Sequence, residues 1–401
     1  METRNLSGRI SDAADILKAG GLVAVPTETV YGLAANGFDA SAVSKIYEVK
    51  GRPEAKPLSL MVKGIDAIDT LCEDVPKAAY VLAEIFWPGP LTIVLKAKKT
   101  IPDIVRAGGD TVGLRCPDHP QLQELLGAID FPLAAPSANP SGEKSPVKAE
   151  EVLRYFDGKI EGIIDGGECT IGKESTIIDL SKNPYTVLRE GAVSADDVFL
   201  ALAASLTIIG ITGGTGSGKT TALNVIKDMG GLTIDADEIY HMLLKESEPM
   251  LVELNERFSG AIPEGTHDTK TLGQIVFSNP EELRALNSIT HKFVGEEIGR
   301  ELTNWAKCGG SIASIDAIAL IEGGIANVCK ATVGIIAPSE TRIERLIKRE
   351  GISHEYAALR ISAQKPNEFF ENNCDYIINN DGTEERFKIK CQEVFGAIIE
   401  R

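Results

Sequence analysis

The chain has no C-x-x-C spacing. Its seven cysteines, Cys72, Cys116, Cys169, Cys308, Cys329, Cys374 and Cys391, are odd in number and scattered. That excludes a disulfide framework or a zinc site as the organising device and fits reduced thiols in a cytoplasmic protein. The N-terminus lacks the charged-then-apolar pattern of a signal peptide. The longest apolar run, near Phe199–Ile211, has about 13 residues, too few to span a bilayer, so no membrane is expected. Cations are in deficit, 41 against 58 acidic residues, for a net charge of −17 and a pI near 4.9. The deficit is shared: 21 cations face 29 acids in residues 1–205, and 20 face 29 thereafter. Neither half is a basic module, so no direct nucleic-acid partner is expected. Histidine is scarce too. His119 is the only one in the first 205 residues, which leaves no nucleophile–base pair or metal cluster there.

Against this background, the glycine-rich stretch Gly213-Gly214-Thr215-Gly216-Ser217-Gly218-Lys219-Thr220 stands out, matching G-x-x-x-x-G-K-[ST] at every fixed position. An apolar, β-branched run (206–211) precedes it, and a segment able to continue as a helix, from Thr221, follows. Strand, glycine loop and helix are the context in which this motif cradles a nucleoside triphosphate. Backbone N–H groups and the helix N-terminus face the phosphates. Lys219 is expected to reach the β- and γ-phosphates and the Thr220 hydroxyl to hold Mg²⁺. At 401 residues the chain should hold about two or three domains. The boundary is expected at 205/206, where a short helix ending near Ala204 leads directly into the strand before the loop.

In the first half, Leu22–Val25 reads as a strand that ends in Pro26-Thr27-Glu28-Thr29, a polar segment that is either part of a pocket or an ordinary cap. Lys50-Gly51-Arg52-Pro53-Glu54-Ala55-Lys56-Pro57 puts three cations into a segment that glycine and proline keep from being a helix. Such a shaped basic loop suits a di- or triphosphate. Arg115 closes an apolar strand before a proline, a place suited to holding a carboxylate. Ala134–Gly142 is a small polar loop after a strand at 131–135. Residues 163–167 and 174–179 read as strand, turn and strand, with Ser175-Thr176 at the entrance. From the residues alone, this half is an α/β domain built for electrostatic positioning of anions.

The segments PTETVYGLAA, KGRPEAKPL, FWPGPLTIVL, VGLRCP, APSANPSG, ESTIID and LREGAV, in this order, resemble the threonylcarbamoyl-AMP synthase (YrdC-like) family over about residues 8–205. The resemblance implies a twisted, open α/β domain that joins L-threonine, bicarbonate and ATP into threonylcarbamoyl-adenylate with release of pyrophosphate. It also implies a functional link to the machinery that transfers this group to tRNA position 37 as t6A. By motif, Lys50, Arg52 and Lys56 are expected on the ATP phosphates, and Ser137, Asn139, Ser145 and Arg189 on the nucleotide. Arg115 is expected on the threonine carboxylate, with Thr27 and Ser175 near its polar groups. Met61 stands where many members carry a histidine.

In the second half, strands are expected at 232–234, 312–317, 332–337 and 376–380. Asp235-Ala236-Asp237 ends the first of these, where two carboxylates can serve Mg²⁺ or take a proton, while Asp237 can also cap the following helix. Arg342, Arg345, Lys348 and Arg349 share a helix, read either as a lid over transferring phosphates or as a solvated basic face. GITGGTGSGKTT, IDADEIYHMLL, VFSNPEELRALNSITH, DAIALIEGG, RLIKREGIS with RISAQ, and DYIINNDGT together resemble dephospho-CoA kinase over about 206–400. This implies a P-loop fold with a parallel sheet, acceptor-binding and lid helices, and ATP–Mg²⁺-dependent phosphorylation of the 3′-hydroxyl of dephospho-CoA. Gly213 to Thr221 would then hold ATP, with Asp237 the general base, Asp235 beside it as a metal ligand, Arg345 and Arg349 in the lid and His291 near the acceptor. The chain departs from the family at Thr269-Lys270, at Lys292 and at Ile318-Ala319-Leu320. The expectation is a bifunctional enzyme using ATP and Mg²⁺. The alternatives left open are a non-catalytic RNA-binding or regulatory first half and a different small-molecule P-loop kinase in the second.

Overall fold

The computed structural model describes residues 2–258, 270–277 and 279–401. Thr269 lies outside the described residues, as does the side chain of Lys270. The chain divides into two compact units, Met1–Ala204 with Lys307–Gly309, and Ser205–Ala306 with Gly310–Arg401. Both are α/β.

The first unit is built on one ten-stranded mixed sheet. Its strands are β1 (Arg4–Asn5), β2 (Val23–Val25), β3 (Gly32–Asn36), β4 (Ser59–Met61), β5 (Leu91–Lys96), β6 (Thr111–Arg115), β7 (Leu133–Ala134), β8 (Gly162–Ile163), β9 (Thr176–Asp179) and β10 (Thr186–Arg189). They lie in the order β1-β8-β2-β3-β7-β4-β6-β5-β9-β10. The polar segment after Val25 is the link between β2 and β3, which pair antiparallel. The segments at 163–167 and 174–179 do not pair with each other: β8 lies against β1 and β2, and β9 lies between β5 and β10. The connecting loop instead crosses the domain and delivers Glu174 and Ser175 to the far side. The helix Ile10–Lys18 buries Ile10, Ala13, Ala14, Ile16 and Leu17, the stripe its spacing predicts. It closes a core with Leu6, Val23, Val25, Leu122, Leu125 and Leu133.

The second unit carries five strands: β11 (Thr207–Thr212), β12 (Leu232–Asp235), β13 (Ile312–Asp316), β14 (Ala331–Ile336) and β15 (Tyr376–Asn379). Their order is β12-β13-β11-β14-β15, and every pair is parallel. Parallel strands need crossover connections, so helices cover the sheet, and the strands read as nearly continuous apolar runs because both faces are buried. Register pairs Ile211 with Asp316 and Asp235 with Asp316. The P-loop and the acids at 235 and 316 therefore share the C-terminal edge of the sheet, where α/β folds bind ligands. The helix Glu384–Glu400 seats Phe387, Cys391, Phe395 and Ile398 against Ile209, Ile211, Val333 and Ile335. A separate helical cluster around Leu244, Met250, Leu254, Leu272 and Ile289 stands beside this edge.

Phe395 is fully buried in that core. Phe395→Ala should lower the stability of the second unit by about 3–5 kcal/mol, read as an earlier urea transition of the full chain. The smaller truncation Phe395→Leu, which stays apolar and leaves less empty volume, should cost less.

Candidate active sites

In the first unit a cavity of about 170 Å³ is lined by Arg52, Met61, Thr92, Arg115, Ser137, Glu174, Ser175 and Arg189, among others. It brings together five of the residues expected from the sequence. Each is held by a definite local device. Arg115, at the end of β6, is almost wholly buried and pairs with Glu28 at 2.8 Å. Its Nη2 also donates to the Thr29 hydroxyl at 2.8 Å. Arg189, ending β10, donates through Nε and Nη2 to the Ser175 carbonyl at 3.1 and 2.8 Å and faces Glu174 at 3.5 Å. Ser145 donates to Glu174 at 2.8 Å, and Thr92 and Ser175 share a hydroxyl contact at 2.9 Å. The result is one connected polar wall running Ser145, Glu174, Arg189, Ser175, Thr92. Burial lowers the pKa of both Arg52 and Arg189, Glu174 partly opposing it at Arg189.

Several expected residues stand behind this cavity, outside its lining. Lys50 ends the helix Ala40–Lys50, where Gly51 turns the chain at φ 58°. Its ammonium is buried and donates to the carbonyls of Ser137 and Asn139. Burial, with Arg52 adding, brings its pKa down to about 7. Asn139 is likewise turned to the loop backbone, donating to Pro140 and Glu143 carbonyls at 2.9 and 2.7 Å. Its buried Oδ1 has no hydrogen-bond partner among the described residues. Thr27 is committed to its own turn, donating to the Val30 carbonyl at 2.7 Å and accepting from the Thr29 and Val30 N–H groups. Lys56 has an exposed side chain. Glu28 and Thr29 belong to the polar segment that the sequence offered as part of a pocket, whereas Glu174, next to Ser175, was given no role.

In the second unit the phosphate loop depends on three glycines with positive φ, 149° at Gly213, 80° at Gly216 and 113° at Gly218. An added Cβ at Gly213 would lie 2.3 Å from the Ile335 carbonyl. Lys219 opens the helix Lys219–Asp228, with Thr220 exposed at its second position and Thr221 beside it. The Lys219 ammonium lies 3.4 Å from Asp316, the last residue of β13. Asp316 is the acid that sequence reasoning missed. It was read as part of a strand, and only the sheet order shows that this strand ends beside the loop.

The two acids after β12 divide their work, and the division differs from the capping expected for Asp237. Asp235 is the cap of the helix Ala236–Glu246, its Oδ1 accepting from the Asp237 and Glu238 N–H groups, each at 3.0 Å. Asp237 Oδ2 instead accepts from Ile318 N–H at 3.2 Å. Asp237 and His291 line one pocket of about 210 Å³ with Tyr240, Asn287, Thr290 and Ala319. The departure at Lys292 faces away, paired with Glu253 at 2.8 Å.

The two expected lid arginines do not form a lid in this structure. Arg345 donates to the Gly216 and Ser217 carbonyls at 3.0 and 3.3 Å and to Asn380 at 3.2 Å. It braces the loop from outside. Arg349 is exposed and paired with Glu350 at 2.5 Å. Gln364 and Asn380 also grip the loop, and sequence reasoning had given neither a role.

No group of three or more His, Cys, Asp or Glu side chains is gathered for a metal among the described residues. The donor set still suits Mg²⁺, which keeps several waters and is held largely by substrate phosphates with one or two protein oxygens. Thr220, the buried Asp316 Oδ1 that lies 3.4 Å from the Lys219 ammonium, and Asp235 are the oxygens on hand.

A basic triphosphate loop at the edge of a parallel sheet, with a carboxylate facing a second pocket, defines the second unit as a P-loop kinase fold. Residues 207–385 match the family model Dephospho-CoA kinase, and residues 15–191 match the Sua5/YciO/YrdC model, described as Telomere recombination. Threonylcarbamoyl-AMP synthase of Pyrococcus abyssi is 46% identical over 190 residues, 47% of this chain and 56% of that protein. The enzyme of that name from Pseudomonas savastanoi pv. phaseolicola is 34% identical over 185 residues, 46% of this chain and 98% of its own length. A solved dephospho-CoA kinase from Campylobacter jejuni is 26% identical with a TM-score of 0.36, covering 48% of this chain and 98% of that one. The chain spans a little over half the length of the Pyrococcus abyssi relative. This chain therefore belongs to the threonylcarbamoyl-AMP synthase family over its first half, and its second half is similar to dephospho-CoA kinase. Among the described residues no helix is long and apolar enough to cross a membrane.

Burial pushes the Asp316 carboxyl up to about 6, with Asp235 and Asp237 adding and Lys219 opposing. Between about pH 4 and 6 the folded chain should thus hold a proton that the unfolded chain has lost. Stability should fall as pH rises through that window, by about 3 kcal/mol in all. Asp316→Asn should flatten this dependence and raise the melting temperature at pH 7. A slope unchanged in the variant would assign it to another group.

Proposed function

We propose that the chain is a bifunctional enzyme that makes threonylcarbamoyl-adenylate in its first unit and phosphorylates dephospho-CoA in its second. For the first unit the supporting observation is the single cavity with Arg52, Arg115 and Arg189 on its walls. Arg52 and Arg189 take the ATP phosphates, and Arg115, anchored by Glu28, takes the threonine carboxylate. Arginine suits both tasks because its fork matches planar oxyanions. The threonine amine combines with bicarbonate to give a carbamate and water. A carbamate oxygen attacks the α-phosphorus, and pyrophosphate leaves. Holding three reactants in one polar cavity supplies the entropic part of the acceleration, and the arginines stabilise charge on the departing pyrophosphate. Ser137 and Ser145 contact the nucleotide, and Ser175 the threonine. The product passes to the machinery that places the group on tRNA.

For the second unit the supporting observation is Asp237 on the wall of the pocket beside the P-loop. Asp237 accepts the proton of the ribose 3′-hydroxyl as that oxygen attacks the γ-phosphorus of ATP. His291 lies against the acceptor nucleotide, and Lys219 follows the charge to the leaving ADP. Mg²⁺, when bound, screens the phosphates, with Thr220 and Asp235 the nearest proposed protein oxygens.

Pyrophosphate release from ATP and bicarbonate should depend on L-threonine. It should fall at least about 100-fold in Arg52→Ala/Arg189→Ala and persist in Lys219→Ala. A chain that releases no threonine-dependent pyrophosphate, while residues 1–205 bind tRNA tightly and with steep salt dependence, refutes the synthase reading. In parallel, Asp237→Asn should lower kcat for dephospho-CoA phosphorylation by about 10²–10⁴ with little change in KM for ATP. Equal turnover of nucleosides that lack the pantetheine diphosphate would replace dephospho-CoA with another acceptor.

A further inference from the structure

Arg342 was grouped by sequence with the arginines of one helical face, yet it stands apart from them in the fold. It belongs to the helix Ser339–Glu350 and is only 3% exposed. Its Nε donates to the Thr215 carbonyl at 2.9 Å and its Nη2 to Gln364 Oε1 at 2.6 Å. The same Gln364 oxygen accepts from Thr215 N–H at 2.8 Å, and its amide nitrogen donates to the Thr215 hydroxyl at 2.7 Å. The guanidinium lies flat on the back of the loop. An added Cβ at Gly214 would sit 2.2 Å from Nη2 and 2.6 Å from Cζ. Gly214 is therefore needed for the approach of this cation.

All the partners of this buried charge are neutral. Among the described residues no carboxylate forms an ion pair with Arg342, although Arg349, Arg360 and Lys219 each have one. Burial is the only influence on its pKa, which it lowers. A buried cation without a counter-charge is costly. The cost is offset when an anion arrives nearby, and the loop between Arg342 and the phosphate site is a single layer of glycine-rich backbone.

We propose that Arg342 is a positioning and electrostatic residue of the nucleotide site: a guanidinium held behind the phosphate loop by Gln364 and Thr215, acting on the triphosphate through the loop rather than by touching it. The ligand class is a nucleoside di- or triphosphate, with preference rising with phosphate charge. This rests only on reading the second unit as a nucleotide site, and is independent of the acceptor.

The test is calorimetric titration of the full chain with ATP and with ADP, in Mg²⁺ and without any acceptor. The component lost in Lys219→Ala defines the second-unit site. Arg342→Gln should weaken ATP about tenfold and ADP less, while Arg342→Lys, which keeps the charge but not the fork, should stay within about threefold of wild type. A merely structural brace predicts equal losses for both nucleotides, and equal losses in Arg342→Lys and Arg342→Gln. Either result overturns the proposal, as does ATP binding within twofold of wild type in Arg342→Gln. Should Arg342→Gln fail to fold, Gln364→Glu sets a carboxylate against the intact guanidinium. It should give the same ATP-over-ADP loss with an undiminished melting temperature, and its absence overturns the proposal equally. Because no acceptor is present, a wrong assignment of dephospho-CoA leaves these outcomes untouched.

Discussion

A loop that offers its N–H groups to an anion has to put its carbonyl oxygens somewhere else, and both sites of this chain meet that constraint in the same way. Cationic side chains come from behind and bind the carbonyls. In the first unit Lys50 takes the carbonyls of Ser137 and Asn139, and Arg189 takes that of Ser175. In the second, Arg342 takes Thr215 and Arg345 takes Gly216 and Ser217, with Asn380 sharing Ser217 at 2.8 Å. Each bond satisfies a backbone acceptor, and each bond from a lysine or arginine places a cationic side chain against the loop. Backbone accounting and electrostatics are served by the same side chains.

This arrangement also resolves how so acidic a chain can hold polyanions. Net charge governs long-range attraction, but at a few ångströms the local balance decides. Three arginines and Glu174 line the first cavity, with Arg189 facing Glu174 at 3.5 Å, while Glu28 pairs with Arg115 from outside the lining. Glu28 neutralises part of Arg115, yet it also fixes the guanidinium plane. Arginine has five donors, and the bonds to Glu28, Thr29 and Gly89 use only Nη2 and Nε. Nη1 takes no part in these three bonds.

The fold was legible because its signals are periodic or local. The apolar β-branched runs gave the five parallel strands, and the glycine loop announced itself. Site residues were legible where they stand in the segment that carries the motif: Arg52, Arg115, Ser137, Ser175 and Arg189 do meet in one cavity. The omissions at Asp316 and Gln364 share one physical origin, which is long sequence separation. Asp316 meets Lys219 only through the strand order, and Gln364 meets Thr215 across 149 residues. No local pattern encodes such a meeting. Asp235 and Asp237 were exchanged in the capping role because spacing alone cannot tell which of two acids keeps extended backbone at a helix start. The φ of −100° at Asp235 decides it.

The same contrast explains why arginines on one helix have different fates. Arg342, Arg345 and Arg349 follow at intervals of three and four and share a face. Yet exposure rises along the series, from buried at 342 through half-buried at 345 to exposed at 349. The first arginine is packed against Gly214, the second reaches the Gly216 and Ser217 carbonyls, and the third pairs with Glu350. A basic helical face therefore does not act as a unit. The distance of each position from the loop decides whether it is buried against the loop, bracing it or paired in solvent.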